Sequence, residues 1–432
     1  MKEKLKLTSL EKHWILYDIG NSAFVLLVAT LLPIFFNSLA TAAGLSESDY
    51  LAYWGYAASI VTVIVAILGP ICGTMADQGG LKKALFLGTM FIGALGCAAL
   101  GVAWSWIAFL VIFIIAKVGF SASLVFYDSM LPEVTTPKRM DTVSSLGYAF
   151  GYIGSVIPFI LCLVLVLGYE FIGISQGTAM IFAFLLTAIW WIGCSLPLAK
   201  SYKQTAVSST RTGKPIRDTF RQLGNTVKDA KKEKHIFLYL LAFFFFIDGV
   251  YTIIDMATAY GTALGLDTTG LLLALLVTQI VAFPFSILFG RLSAKFDTAK
   301  LIKVCIICYT CITVFAMFLN TQWQFWVLAV LVGMFQGGIQ ALSRSYLGKI
   351  IPAERSGEYF GLMDICGKGA SFVGTTLVAV VSQATDGITL NFFGLNIHNE
   401  GIAVGTLVIL FGIGFVLFCI ADKLTKARAA AE

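Results

Sequence analysis

Eight polar or charged residues interrupt apolar segments that are each long enough to cross a lipid bilayer, and they are the residues best placed to do chemistry. They are Asp18, Asn21, Lys117, Asp128, Asp248, Asp255, Arg344 and Lys368. A charge near the centre of a membrane costs roughly 2.5 to 3.5 kcal/mol on insertion scales, and such residues usually face the interior of a helical bundle or an aqueous cavity. A functional role is therefore the first explanation to consider for this group.

These side chains offer two kinds of chemistry. A carboxylate in a site of low dielectric can bind and release a proton as its access to water changes, and Asp18 and Asp248 are candidates for that role. A basic group such as Lys117 or Arg344 can hold the carboxylate or phosphate of a substrate, and arginine favours bidentate geometry. An aspartate and a lysine that face one cavity would together suit a zwitterionic solute.

The composition indicates an integral membrane protein built of many helices. Hydrophobic residues make up 58% of the chain and charged residues 12%, with 35 Phe and a mean hydropathy of +0.87, whereas charged residues make up about 25% of soluble domains. A helix needs about 20 apolar residues to cross a bilayer. Twelve runs of suitable length occur, at approximately 14–38, 51–75, 84–102, 104–131, 143–168, 177–198, 235–262, 270–290, 301–319, 323–348, 357–382 and 401–421.

Lysine and arginine are distributed unevenly around these runs. We assume that the N-terminus is cytoplasmic. Then 27 of the 30 Lys and Arg residues fall in the termini, in the loops after even-numbered helices or at the edges of these loops. The other three are Lys117, Arg344 and Lys368. The opposite loops contain none and carry Glu47, Asp49, Glu170, Asp267, Asp386 and Glu400 instead. We therefore expect both termini in the cytoplasm. The net charge of +6 reflects this topology and gives no reason to expect nucleic-acid binding.

One long polar segment divides the chain into two halves of equal length. Residues 199–234 contain ten Lys or Arg and separate 198 residues before them from 198 after them. Residues 73–84 resemble residues 290–301, and residues 131–151 resemble residues 351–371. We therefore predict a six-helix bundle over 1–198, a basic cytoplasmic linker over 199–234 and a second six-helix bundle over 235–432. Such repeats are typical of transporters whose site lies between the halves near mid-membrane.

The turn after the second run contains a recognisable loop motif. Residues 73–83, GTMADQGGLKK, have the G-x-x-x-D-x-x-G spacing followed by basic residues that resembles the loop motif of the major facilitator superfamily. Glycines allow a tight turn there, and the aspartate can pair with a basic group or a helix end and hold one conformation closed. The candidates for this gating role are Gly73, Asp77, Gly80, Lys82 and Lys83. A positively charged cytoplasmic turn without a gating role is the alternative.

Further motifs make the resemblance more specific. In chain order they are YDIGNSAF (17–24), FYDSMLPE (126–133), GYAFGYIG (147–154), DGVYTII (248–254), GGIQALSRS (337–345) and EYFGLMDICGK (358–368). Together they resemble the vacuolar amino-acid effluxer-like, autophagy-related family of major facilitator transporters, which has many bacterial members. The matches extend from about residue 14 to 380.

This resemblance implies an all-α fold of twelve helices in two pseudo-symmetric bundles that work by alternating access. It also implies that the first, fourth, seventh and tenth helices line a central cavity. Seven of the eight intramembrane candidates, all except Lys368, lie on those helices. The fungal members imply export of amino acids from a storage compartment.

Ion pairing that holds helices together is the alternative explanation of the intramembrane charges. It is an equally good account of Asp18, Asp128 and Arg344, which lie toward the cytoplasmic side. Lys117 and Asp248 lie about 13 residues into their helices, or about 20 Å at 1.5 Å per residue, and transport is the better account of them. For Lys368, the nearby Asp364 is a candidate partner, and Asp255 could be a polar group of an extracellular vestibule.

Neither an enzyme nor a metal protein is predicted. The segment that begins at Cys366, CGKGAS, resembles a phosphate-binding loop, but the Walker A pattern needs glycine at position 362, which is leucine. Cys305, Cys308 and Cys311 lie inside the predicted ninth helix, where packing explains them. We expect no catalytic residue, cofactor or metal site.

The sequence therefore predicts a multi-pass secondary transporter, in the plasma membrane if the chain is bacterial. Its expected substrate is a small polar solute, such as an amino acid or a related metabolite, and its expected coupling ion is the proton. We expect a monomer that contacts the lipid bilayer. A receptor or scaffold that signals through residues 199–234 without transporting anything remains the alternative.

Overall fold

The computed structural model describes residues 6–77, 80–207, 233–385, 388–392 and 395–430. Almost all of them are helical. The helices are α1 (Ser9–Ala29), α2 (Leu31–Ala42), α3 (Glu47–Asp77), α4 (Lys82–Ala99), α5 (Trp106–Ser129), α6 (Leu131–Val134), α7 (Met140–Leu167), α8 (Tyr169–Ile172), α9 (Gln176–Ser201), α10 (Lys234–Ala263), α11 (Thr268–Leu292), α12 (Thr298–Met317), α13 (Gln322–Ile350), α14 (Ser356–Ala384), α15 (Asn399–Gly405) and α16 (Leu407–Ala429). Short 3-10 turns cover Leu100–Val102 and Ala353–Arg355.

Twelve segments of the described chain are long and apolar enough to cross a membrane, as the sequence predicts. Ten of them are formed essentially by one long helix, whereas α1 and α2 together form the first and α15 and α16 the last. Large apolar side chains such as Val63, Leu95 and Ile409 are exposed on these spans, as expected for surfaces that contact lipid. The predicted loop 383–400 contains a feature that the sequence did not predict, an antiparallel pair of strands, β1 (Leu390–Phe392) and β2 (Leu395–Ile397).

The first span is interrupted at Thr30. This residue has φ −128° and ψ −72°, outside the helical region. Its hydroxyl donates to the Leu26 carbonyl at 2.6 Å. Three residues later, Pro33 has no N–H to donate to the Ala29 carbonyl. The local chemistry therefore explains why one apolar run becomes two helices.

Side chains and glycines fix the helix ends. Thr8 and Glu11 form a reciprocal capping box at the start of α1, and Asp297 caps α12. Between α3 and α4, Gly80 has a φ of +77°, a conformation that side chains disfavour. The two caps satisfy N–H groups that the start of a helix leaves without partners, and Gly80 supplies the turn before α4.

The chain forms two compact units. Unit 1 comprises Met1–Thr136, Phe150–Thr219 and Ala353–Gly361, and unit 2 comprises Pro137–Ala149, Phe220–Pro352 and Leu362–Glu432. Both α7 and α14 are thus divided between the units. The predicted domains 1–198, 199–234 and 235–432 remain a prediction, and residues 208–232 of the linker, like Asp386, lie outside the described residues.

The helices pair in the same pattern within each unit. In unit 1, α1 packs on α9, α3 on α5, and α4 on both α5 and α9. In unit 2, α10 packs on α16, α11 on α13, and α12 on both α13 and α16. These are corresponding helices of the two sequence halves. Buried aromatic residues fill these contacts, as in the stacked pair Phe24 of α1 and Trp191 of α9, whose ring centroids are 5.6 Å apart.

Candidate functional site

The first turn of α4 places a buried lysine among several oxygen atoms. Lys82 Nζ donates to Glu133 Oε1 at 2.8 Å and to Ser356 Oγ at 2.9 Å. It also donates to the Ser129 carbonyl at 3.3 Å and lies 3.5 Å from Asp77 Oδ1. The Lys82 side chain is 0% exposed. We call Asp77, Lys82, Ser129, Glu133 and Ser356 the Lys82 cluster.

Asp77 connects this cluster to the start of α14. Its Oδ1 accepts from the Gly357 N–H and its Oδ2 from the Glu358 N–H, both at 2.9 Å. These N–H groups belong to the first turn of the helix, where no backbone carbonyl is available to accept from them. A carboxylate at this end also interacts favourably with the helix dipole. Asp77 therefore caps α14 and partly neutralises Lys82.

Glycines allow α3 and α14 to approach each other at this point. A Cβ atom added at Gly73 would lie 2.1 Å from the Gly357 carbonyl oxygen, and one added at Gly361 would lie 2.7 Å from the Gly69 carbonyl oxygen. Both distances are too short for any side chain. The contact therefore requires glycine.

The five predicted gating residues do not all lie at the same contact. Gly73, Asp77 and Lys82 all contact the start of α14, and Gly80 forms the turn that precedes α4. Lys83 is half-buried and lies outside the Lys82 cluster. Their role in gating remains a prediction.

Glu133 is the second carboxylate of the cluster, and its side chain is 2% exposed. Burial alone would raise its pKa, but the adjacent Lys82 ammonium and the N–H groups of Ala206 and Thr205 together hold the pKa of Glu133 below its ordinary value. Tyr202 also donates to Glu133 Oε1, at 2.8 Å. Burial, followed by the charge of Glu133, raises the pKa of Tyr202, so its hydroxyl stays protonated and able to donate.

The lowered pKa of Glu133 predicts a pH-dependent contribution to stability. A carboxylate whose pKa is lower in the folded state stabilises the protein fully above its unfolded pKa, about 4.3, and loses this effect as the pH falls through the folded value. We expect the Glu133→Gln variant to melt at a lower temperature than the wild type at about pH 7. The gap should narrow as the pH approaches 4 or below. A gap that is the same at both pH values would contradict this assignment.

A second cluster lies in unit 2, at the start of α7. Asp141 Oδ2 accepts from Lys349 Nζ at 2.5 Å and from Thr298 Oγ1 at 2.6 Å. Asp141 Oδ1 accepts from Ser345 Oγ at 2.6 Å. We call Asp141, Thr298, Ser345 and Lys349 the Asp141 cluster. It joins the first turns of α7 and α12 to the last turns of α13.

Arg344 binds the same end of α7. Its Nε donates to Ser144 Oγ at 2.9 Å and its Nη2 to the Ser144 carbonyl at 3.0 Å. The guanidinium carbon lies 4.4 Å from the centroid of the Tyr148 ring, which is a cation–π geometry. Arg344 is 3% exposed. In this structure it therefore connects α13 to α7.

Asp248 is fully buried in the middle of α10. Its Oδ1 accepts from the Gly374 N–H of α14 at 2.9 Å and from Thr252 Oγ1 at 3.2 Å. Among the described residues nothing donates to Oδ2. A Cβ added at Gly374 would lie 2.3 Å from Asp248 Oδ1, so a side chain there would displace the carboxylate. One oxygen of this carboxylate thus remains available to bind a proton.

The candidates of unit 1 lie along α1 and α5. Asp18 and Asn21 are buried, and Asn21 donates to the Tyr17 carbonyl one turn earlier at 3.0 Å. The Lys117 Nζ lies 5.0 Å from the centroid of the Phe120 ring. Asp128 is half-buried in the last turn of α5. The aromatic ring stabilises the charge of Lys117 in a segment that contains few polar groups.

The last two candidates lie in unit 2. Lys368 Nζ is 2.5 Å from Asp364 Oδ1, one helical turn away, so the structure forms the pair that the sequence left open. Asp255 is exposed, seven residues after Asp248 on α10.

Sequence reasoning missed several residues of both clusters. Glu133, Asp141 and Ser356 all lie in the segments 131–151 and 351–371, whose similarity indicated the internal repeat. The repeat could have indicated these residues, because it identified segments at equivalent positions in the two halves. Polar residues at predicted helix ends were too common for their individual roles to be recognised.

Comparisons with known proteins agree with this architecture. A family model described as "Vacuole effluxer Atg22 like" matches residues 9–431. A protein of Bacillus subtilis (strain 168), described as an uncharacterized MFS-type transporter, YxiO, is 40% identical over 432 residues, covering 99% of this chain and 98% of that protein. Autophagy-related protein 22-1 of Aspergillus fumigatus is 25% identical over 273 residues, and the match covers 57% of this chain but 44% of the fungal protein.

Solved structures establish the fold. The human organic anion transporter MFSD10 superposes with a TM-score of 0.72 at 14% identity and covers 95% of this chain. The major facilitator transporter FucP, in its outward conformation, superposes with a TM-score of 0.69 at 15% identity and covers 96%. The two superposed proteins and the relative from Bacillus subtilis are transporters and not enzymes. The superpositions and the twelve apolar spans confirm the predicted twelve-helix fold and the multi-pass integral membrane protein. The cytoplasmic location of both termini remains a prediction. The chain therefore belongs to the Atg22-like vacuole effluxer family, within the major facilitator superfamily of transporters.

Proposed function

We propose that this protein is a secondary active transporter that moves a small polar solute by alternating access and couples the movement to protons. The proposed substrate class is an amino acid or a related metabolite, and the proposed location is the plasma membrane of a bacterium. The Atg22-like family is described as vacuole effluxers, and the full-length relative comes from a bacterium.

The observation that carries the coupling proposal is the geometry of Asp248. This carboxylate is 0% exposed, and among the described residues one of its oxygens has no donor. A buried charge without a full set of partners is costly, and protonation removes that cost. Access of water to Asp248 in one conformation and not in another would therefore change its protonation. Two structural neighbours, FucP and XylE, are described as proton symporters.

The two clusters supply contacts that could form and break during a transport cycle. The Lys82 cluster joins α3, α4, α5 and α6 to the start of α14, and the Asp141 cluster joins α12 and α13 to the start of α7. Both consist of short charged contacts at helix ends. Such contacts are geometrically specific and are lost completely when helices separate, so they suit a switch between discrete states.

The test begins with the substrate. Purified protein is screened against amino acids and related metabolites for a rise in melting temperature, since a ligand that binds the native state stabilises it. Uptake of the best ligand is then measured in proteoliposomes with and without a pH gradient. For the wild type, we expect the gradient to accelerate uptake. For Asp248→Asn, we expect the same uptake with and without the gradient.

Glu170→Gln is the matched control, because Glu170 is an exposed carboxylate on a short helix between two spans. It should keep the response of the wild type to the gradient. If Asp248→Asn also kept that response, Asp248 would have no part in coupling. If no ligand raised the melting temperature and no solute moved, the receptor or scaffold alternative would be favoured instead.

A further inference from the structure

The chain that follows α9 contacts the Lys82 cluster directly. After Ser201, residues Tyr202 to Ala206, which we call the strap, run beside the turn between α3 and α4. Gln204 contacts both ends of this turn: its Oε1 accepts from the Lys82 N–H at 3.0 Å, and its Nε2 donates to the Ala76 carbonyl at 2.9 Å. One side chain thus holds the last turn of α3 against the first residue of α4.

The strap also provides most of the donors to Glu133. Glu133 Oε2 accepts from the Thr205 N–H at 2.6 Å, from Thr205 Oγ1 at 3.2 Å and from the Ala206 N–H at 3.1 Å. Glu133 Oε1 accepts from the Tyr202 hydroxyl and from Lys82 Nζ, both at 2.8 Å. The Glu133 carboxylate therefore has the strap on one side and Lys82 on the other.

The contacts by which the Lys82 cluster holds the start of α14 against α3 and α4 are called the lock. We propose that the strap is part of this lock and that Gln204 is a positioning residue for Lys82. Gln204 fixes the backbone of Lys82, and Glu133 fixes its ammonium group. The position of Lys82 in turn orients Asp77, which caps α14. Release of the strap would loosen the contact between Asp77 and α14, although no strap residue contacts Asp77 or α14 in the hydrogen bonds described above. The link to transport rests on the proposed gating role of the cluster.

Because of this arrangement, we expect changes in the linker, residues 199–234, to alter the contacts of the Lys82 cluster. The strap is the first part of the segment that connects α9 to α10. At its first end, a binding event or a change in tension on this connection would act on Gln204 and on the donors to Glu133 before it reached α9. Gln204 bonds to the Lys82 N–H and the Ala76 carbonyl through its side chain, so a substitution at Gln204 removes these bonds without removing a donor to Glu133.

Hydrogen exchange of the full-length protein tests the coupling without any substrate. Four backbone amides report on the contacts: those of Thr205 and Ala206 on Glu133, and those of Gly357 and Glu358 on Asp77. In Gln204→Ala we expect exchange at all four to accelerate roughly 10-fold, because the lost hydrogen bonds make local opening easier. The Ala299 amide, bonded to Asp297 Oδ1 in unit 2, should keep its wild-type rate and thereby exclude general unfolding.

Lys203→Ala is the matched control, because Lys203 is the exposed neighbour of Gln204 in the strap. It should exchange like the wild type. Gln204→Met has a side chain of similar length without the amide, and it should behave like Gln204→Ala if hydrogen bonding rather than packing is responsible. Acceleration confined to Thr205 and Ala206, or wild-type exchange in Gln204→Met, would overturn the proposal.

The outcome is independent of the proposed function. If exchange accelerated at all four amides in a protein that transported no solute, the strap proposal would be supported and the transport proposal rejected. If solute were transported but acceleration were confined to Thr205 and Ala206, the transport proposal would be supported and the strap proposal rejected.

Discussion

Replacing Lys82 with methionine is expected to lower the free energy of unfolding by about 3 to 5 kcal/mol, the range for breaking a buried ion pair by removing one partner. Methionine preserves much of the side-chain volume but removes the ammonium group. Asp77 and Glu133 would then be two buried carboxylates without their shared cation. The apparent melting temperature in detergent should fall by several degrees, and the change should persist in high salt because the pair is not exposed to solvent.

Lys83→Met is the matched control for this prediction. Lys83 is the adjacent residue on α4, has the same chemistry and lies half-buried outside the Lys82 cluster. Its replacement removes no partner of the two buried carboxylates, so the melting temperature should change by little. Equal effects of the two variants would show that the loop requires positive charge in general and that the Lys82 cluster has no special role.

Replacing Gly73 with alanine is the second change for which we expect a large effect. The new Cβ would lie 2.1 Å from the Gly357 carbonyl oxygen, and this atom belongs to the backbone and cannot rotate away. The variant can therefore fold only if α3 and α14 move apart, which weakens the hydrogen bonds from Gly357 and Glu358 to Asp77. Overpacking of this kind costs typically about 1 to 3 kcal/mol. We expect a lower melting temperature and faster amide exchange at the start of α14.

Gly55→Ala provides the comparison on the same helix. Gly55 lies in the interior of α3 and a Cβ there would have nothing within 4 Å. Alanine should stabilise the helix by about 0.5 to 1 kcal/mol, because it reduces the entropy of the unfolded chain without a clash. The two substitutions should thus shift the melting temperature in opposite directions. A destabilised Gly55→Ala together with a neutral Gly73→Ala would contradict the close contact.

The number and approximate position of the membrane spans could be predicted because they depend on a property summed over many residues. A window of about 20 apolar residues is recognisable even when its exact ends are not. The interruption at Thr30 could not be predicted in this way, since one threonine and one proline barely change the hydropathy of a window. The short hairpin of β1 and β2 was missed for a related reason, because three-residue strands carry almost no periodic signal.

The sequence identified the residues that are costly in a membrane but gave little information about their partners. Asp248 and Lys117 were selected by their depth and by their position on helices that the resemblance places around a cavity. The N–H groups of α14 that Asp77 caps lie 280 and 281 positions away in the chain, so the loop motif indicated a helix end as a partner but not which helix. The pair Lys368 and Asp364 could be predicted because its members are four residues apart on one helix. Glu133 was overlooked because a glutamate beside a predicted turn is ordinarily solvated.

The break at Thr30 has a consequence for how the first span could move. A continuous helix resists bending because each turn is held by main-chain hydrogen bonds, and a kink must break some of them. At Thr30 the backbone has already left the helical conformation, and Pro33 can never restore the bond to Ala29. The main-chain hydrogen bonds therefore offer little resistance to a swivel of α2 about Thr30, and that resistance comes instead from buried side chains such as Phe36, which packs on Phe109 of α5.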